Sequence, residues 1–201
     1  MAKSMSRDGL QKMAGLSIFT AVIALLTVLC TFIRFGPFSI TLALAPVIIG
    51  GAVYGMKAGA YLGGVFGFVV LLTGIFGWDG GTIMLLMGQN ALGCIAICLG
   101  KGMAAGWASA AVYKLLEKKS GKASSVAAAI VCPVVNTGLF ILGMYVFFLN
   151  VLESWAGGMN VLYFAIIGLT GINFIVEVVV NLALSSTITG IIRYGKGNRR
   201  E

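Results

Sequence analysis

The chain contains no histidine, and only six of its 201 residues are acidic. Zinc, nickel and cobalt sites therefore lack their commonest ligand. With no clustered acids either, no nucleophile and base stand ready for covalent catalysis. Charged residues make up 10% of the sequence, against about 25% in a soluble domain, too few to solvate the surface of a cytosolic globule. The four cysteines, Cys30, Cys94, Cys98 and Cys132, lie inside apolar stretches and read as small packing residues, so no disulfide framework is implied. No Gly-x-x-x-x-Gly-Lys-Ser/Thr run occurs, and any nucleotide-driven step must come from another chain.

What the sequence does have is apolar length. Hydrophobic residues account for 59% of it, and the mean hydropathy is +1.02. At roughly 20 apolar residues per span, a chain of this size holds about six or seven transmembrane helices and little else. The first apolar run is followed by others and lacks a small-residue cleavage site, so it reads as a span and not a secretory signal. The net charge of +8 would suggest nucleic acid in a soluble protein. Here no basic face with interleaved aromatics exists, and nucleic acid is excluded as a partner. The basic residues instead sit in short patches between apolar runs (Lys114, Lys118, Lys119 and Lys122, for example), where they set orientation against the membrane lipid.

The pattern predicts an all-α integral membrane protein, a six-transmembrane-helix bundle with both termini cytoplasmic, forming one membrane domain over residues 1–201. Helices are expected at about 13–33, 41–54, 58–76, 91–116, 124–148 and 161–192. The loops at Arg34–Ser39 and Gly77–Gly81 and the segment holding Glu153 and Trp155 then face outward, while nearly all Lys and Arg face the cytoplasm. Residues 82–90 are apolar but too short to span, and read as an outer loop or half-helix. Taking 82–117 as two spans would bring the C-terminal basic cluster outside, against the charge rule.

Small residues recur four apart: Gly51, Gly55, Gly59, Gly63 and Gly67, and later Gly102, Gly106 and Ala110. Such stripes let helix backbones approach closely in lipid, where packing and not hydrophobicity drives association. A second small-residue face, Ser17, Thr20, Ala21 and Ala24 on the first helix, suits internal packing or a partner helix. Intramembrane polar groups say more, because a charge at the centre of a span costs at least about 2.5–3.5 kcal/mol. Lys101 and Glu177 are such charges. Asn173, Glu177 and Asn181 share one helix face by their spacing, and Asn136 lies mid-helix. Lys101 and Glu177 are either a structural ion pair or the floor of a polar pocket in which Lys101, Asn136, Asn173 and Glu177 hold a small ligand. Asn90 joins them as a further binding candidate. Arg34, Phe35, Phe38, Trp78 and Asp79 are candidates for a lid, since glycines flank the aromatics; interfacial anchoring explains the aromatics equally well.

Gly55-Met56-Lys57-Ala58-Gly59-Ala60-Tyr61-Leu62-Gly63, the Gly102-x-x-x-Gly106 helix ending in Tyr113-Lys114-Leu115-Leu116-Glu117-Lys118-Lys119, Cys132-Pro133-Val134-Val135-Asn136-Thr137 and Asn173-Phe174-Ile175-Val176-Glu177 together resemble the substrate-binding S component of an energy-coupling factor (ECF) transporter. The resemblance runs from about residue 14 to 192. It implies a prokaryotic plasma-membrane protein that captures a vitamin or related micronutrient from outside. It also implies partners, a transmembrane coupling subunit and two ATPase subunits, and no cofactor or metal of the chain's own. Family members usually carry an Ala-x-x-x-Ala patch on helix 1 for the coupling subunit; here Ser17 with Ala21 and Thr20 with Ala24 are the nearest equivalents. Signature residues for riboflavin, thiamine or biotin are missing, while Lys101 beside amides suits an anionic, pantothenate-like ligand. The competing expectation is a self-sufficient carrier with Glu177 as a proton site.

Overall fold

The computed structural model describes residues 7–35, 38–39, 42–118 and 120–197. Helix α1 (Arg7–Thr31) leads into a minimal hairpin, β1 (Arg34–Phe35) with β2 (Phe38–Ser39), in which Arg34 pairs with Ser39 and Phe35 with Phe38. Then follow α2 (Leu44–Tyr54), α3 (Met56–Ile75), α4 (Thr82–Leu116) and α5 (Gly121–Phe147). The chain ends in α6 (Leu149–Ala156), α7 (Val161–Tyr163), a π-helical segment Phe164–Leu169 and α8 (Gly171–Gly197). Among the described residues, four helices are long and apolar enough to cross a bilayer, or five if the bent pair Leu149–Ala156 and Val161–Leu169 counts as one span. Helix α2 and the segment Asn173–Ser185 are shorter apolar helices. Length and composition therefore reach four or five spans, short of the expected six.

Three boundaries differ from expectation, each for a local reason. Residues 82–90 are helical and run into α4, but Asn90 adopts φ −153°, ψ 92°. Its Oδ1 accepts the Gly93 N–H at 2.9 Å, so a fresh helix starts there with its own side-chain cap. The expected start at residue 91 is this break. The segment after α5 contains a short helix, α6, followed by a turn through Gly157 and Gly158, both at positive φ. The expected continuous helix over 161–192 is interrupted. Thr170 Oγ1 donates to the Ala165 and Ile166 carbonyls at 3.0 and 3.2 Å, drawing the backbone into the wider π turn before α8 restarts.

The tightest junction is between α3 and α4. A methyl group placed on Gly59 would overlap the Gly106 carbonyl, one on Gly63 the Gly102 carbonyl, and one on Gly67 the Cys98 carbonyl. The relation is reciprocal, since Gly102 faces the Gly63 carbonyl and Gly106 the Gly59 carbonyl. The two backbones are thus in direct contact over about three turns, as the four-residue spacing of small residues requires. Gly55, at φ +93°, makes the sharp link between α2 and α3, a conformation that a residue with a Cβ strongly disfavours.

Helix α2 is buried from Leu44 to Val53. It anchors a core of Ile23, Leu44, Val47, Ile48, Leu62 and Phe66. A second core at the other end gathers Ile83, Leu86, Phe140, Met144 and Leu152. Large apolar side chains also face outward, among them Ile18, Leu92 and Leu115, as they do where lipid is the solvent.

The α3–α4 contact predicts that Gly63→Ala and Gly106→Ala each destabilise the protein by about 1–3 kcal/mol through overpacking. Gly100→Ala, on the same helix as Gly106 but with open space around its Cβ position, should be neutral or gain up to about 1 kcal/mol from helix propensity. Thermal unfolding of the purified variants in detergent measures the difference.

Candidate functional site

Two adjoining cavities open between α3, α4 and α5, the first bounded also by Thr31 of α1 and the second by α8. The first, about 60 Å³, lies on the side of the Gly77–Gly81 turn, and its lining includes Thr31, Thr73, Asp79, Cys94, Cys98 and Lys101. The second, about 90 Å³, lies against α8, with Lys101, Thr137, Thr170, Asn173 and Glu177 among its lining and Phe66, Phe140 and Phe174 as aromatic walls. Val70, Lys101 and Phe140 belong to both. The Lys101 ammonium stands 4.9 Å from the centre of the Phe140 ring, within the range of a cation–π contact. Lysine and phenylalanine together form the partition between the two spaces.

The polar residues reach this point from separate elements. Lys101 is brought in by the α3–α4 glycine contact, because it adjoins Gly102, whose Cβ position faces the Gly63 carbonyl and the Phe66 ring. Asn173 and Glu177, 7% and 4% exposed, stand on the face of α8 turned to the cavity, and the break at Thr170 supplies a hydroxyl at its rim. Asn136, on α5, is also buried, and its Oδ1 finds no hydrogen-bond donor among the described residues. Its neighbour Thr137, not Asn136 itself, lines the α8-side cavity. A buried acceptor left without a donor carries a penalty of about 1–3 kcal/mol, so this amide is a natural position for a water or a ligand group.

The remaining candidates fall elsewhere. Asn90 lines neither cavity; its carbonyl oxygen caps the second part of α4. Asp79 does line the loop-side cavity, but its carboxylate accepts the Gly81 and Ile83 N–H groups at 2.9 and 2.8 Å. It caps the start of α4, where an anion is also favoured by the helix dipole. Trp78 packs its ring near Phe32 and Phe76, with centroids 6.1 and 5.7 Å away, which ties the end of α1 to the turn above the cavity. The side chains of Arg34, Phe35 and Phe38 lie outside the described residues. On α1, Ser17 and Ala21 are exposed while Thr20 and Ala24 are half-buried. Ser17 Oγ donates to the Met13 carbonyl at 3.0 Å, so the face presents no free hydroxyl at that position.

Sequence reasoning missed the aromatic walls and the threonines. Phe140 stands one turn beyond Asn136, but neither it nor Phe66, Phe174 and Thr73 carries a sequence signal that separates it from ordinary core.

A family model described as the substrate-specific component of ECF transporters matches residues 11–192. The chain belongs to that family. No curated protein and no solved structure matches it. As an ECF substrate-specific component the chain is a transporter part and a multi-pass membrane protein, and membership carries with it a small-molecule substrate and an ECF module as partner.

For this ECF component, Asn90→Ala should lower stability by about 0.5–2 kcal/mol through the lost cap, and Asn90→Asp should restore most of it. Thermal unfolding checks both. A full loss of stability in Asn90→Asp as well would show that the amide does more than accept the Gly93 N–H.

Proposed function

We propose that this ECF component captures a vitamin or related micronutrient from outside a prokaryotic cell and delivers it to a transmembrane coupling subunit driven by two ATPase subunits. The chain itself carries out no chemical conversion. The observation that carries the reading is the convergence of Lys101, Asn173 and Glu177 from two helices on one cavity, in a family defined by substrate specificity. In lipid every such group needs a polar partner, and one shared cavity serves all of them. Lysine offers donors only, asparagine donors and acceptors, and glutamate acceptors; a ligand with carboxylate or amide groups meets this set. Asn136, with its unsatisfied oxygen, is the fourth member. The family favours this reading over a self-sufficient proton-coupled carrier.

The topology that suits it has six crossings, α1, α2, α3, α4, α5 and α8, with both termini cytoplasmic. Helix α2 is short for a span, but its burial among other helices keeps its ends away from lipid. The hairpin at Arg34–Ser39 and the turn at Gly77–Gly81 then lie outside, over the cavities, with Arg34, Phe35, Phe38, Trp78 and Asp79 as the lid. Ser17, Thr20, Ala21 and Ala24 on α1 form the contact for the coupling subunit.

Identification by mass spectrometry of a small molecule that co-purifies with the chain names the substrate. With that molecule as the titrant, Asn173→Ala should weaken binding by about 1–3 kcal/mol, since a buried partner is left unsatisfied. The double variant Lys101→Met with Glu177→Gln should lose binding while remaining folded; unchanged affinity would reduce the pair to a structural clamp. Ala21→Trp should leave binding by the isolated subunit intact and abolish uptake by the complete transporter, because a bulky side chain holds the helices apart. Normal uptake would place the docking face elsewhere.

A further inference from the structure

Cys94 and Cys98 have no part in the proposed capture of substrate. They stand four residues apart on α4 and so share one face of it. Their thiols are hydrogen-bonded to each other. Both are free, both line the loop-side cavity, and they are 1% and 6% exposed. The chamber around them is largely apolar, walled by Ile83, Leu86 and Phe140. Among the described residues no three His, Cys, Asp or Glu side chains come together, so the ligand set of a four-coordinate zinc site is not there. What is there is a two-sulfur chelate facing an apolar space. Soft thiolate donors select soft centres, and two thiols in contact with each other can both bond to one pyramidal, three-coordinate atom.

We propose that Cys94 and Cys98 form a dithiol binding site for trivalent arsenic, seated in the cavity beneath the Gly77–Gly81 turn. The third substituent on arsenic, an organic group or a hydroxyl, points into the chamber. With an organoarsenic oxide, two arsenic–sulfur bonds form and the arsenic–oxygen double bond breaks. Both thiol protons leave with that oxygen as water. Arsenic remains trivalent throughout, and no oxidant or reductant is consumed. Cys30 on α1 and Cys132 on α5 line neither cavity, and neither has a second thiol beside it within its own helix; they offer no chelate.

The test uses the purified full chain in detergent with phenylarsine oxide at equimolar ratio. Intact-mass measurement should show one phenylarsenic per chain with loss of one water, released by 2,3-dimercaptopropanol and retained against an equal amount of monothiol. Peptide mapping of the unaltered protein should place the adduct on the segment containing Cys94 and Cys98. Cys94→Ser or Cys98→Ser should each weaken binding about 100-fold or more, because the second bond is no longer intramolecular. The combined Cys30→Ser and Cys132→Ser variant should bind as the native chain does. An absent adduct, one mapped to Cys30 or Cys132, or one insensitive to both single substitutions overturns the proposal, and the mapping decides it even if a serine variant fails to fold.

Discussion

Everything in the candidate site depends on how closely α3 and α4 approach. Where Gly59, Gly63 and Gly67 meet Gly106, Gly102 and the Cys98 carbonyl, there is no room for even a methyl group, and main chain rests on main chain. In water such a contact would be a weak source of stability beside apolar burial; in a bilayer, where the tails are as apolar as leucine, shape fit and dispersion are what remain. The contact fixes α4 against α3 in both rotation and height. Because Lys101 precedes Gly102 directly, the contact also sets the depth at which this half-buried cation appears, beside Phe66 and Val70 and over the Phe140 ring.

The second constraint is the cost of polarity inside the membrane. Lys101, Asn136, Asn173 and Glu177 come from three separate helices, α4, α5 and α8. Each would carry a penalty if turned to lipid. The bundle gathers three of them around one cavity and leaves the fourth, Asn136, one position from a cavity residue with an oxygen still to be satisfied. Two helix irregularities help to shape the space. The cap at Asn90 restarts α4 above the cavity, and the π turn closed by Thr170 lets α8 begin at the height where Asn173 can face inward.

The parts of this architecture that were legible in the sequence are those encoded by spacing. Four-residue glycine repeats announced close helix packing, and the i, i+4 positions of Asn173 and Glu177 announced a shared polar face. Helix breaks were harder. Asn90, expected at the end of an outer loop or half-helix, read as a binding candidate, yet the structure gives it a partner one turn away, a backbone N–H of the kind only a helix start leaves open. The 161–192 stretch read as one helix because its hydropathy is continuous; the interruption comes from the Thr170 hydroxyl competing for carbonyls, which hydropathy does not register. The aromatic walls were invisible for a simpler reason. In a chain with 12 phenylalanines, nothing local separates those that line a cavity from those that meet lipid.

We propose that this ECF component holds its substrate where α3, α4, α5 and α8 meet. An experimental structure of the chain in a lipid nanodisc, prepared with the molecule that co-purifies with it, tests that claim most directly. The α3–α4 backbone contact should be intact and ligand density should lie beside Phe140, within hydrogen-bonding reach of Lys101 and Asn173. Density confined to the hairpin and the Gly77–Gly81 turn, with the space between Lys101 and Glu177 filled by protein side chains, would contradict it.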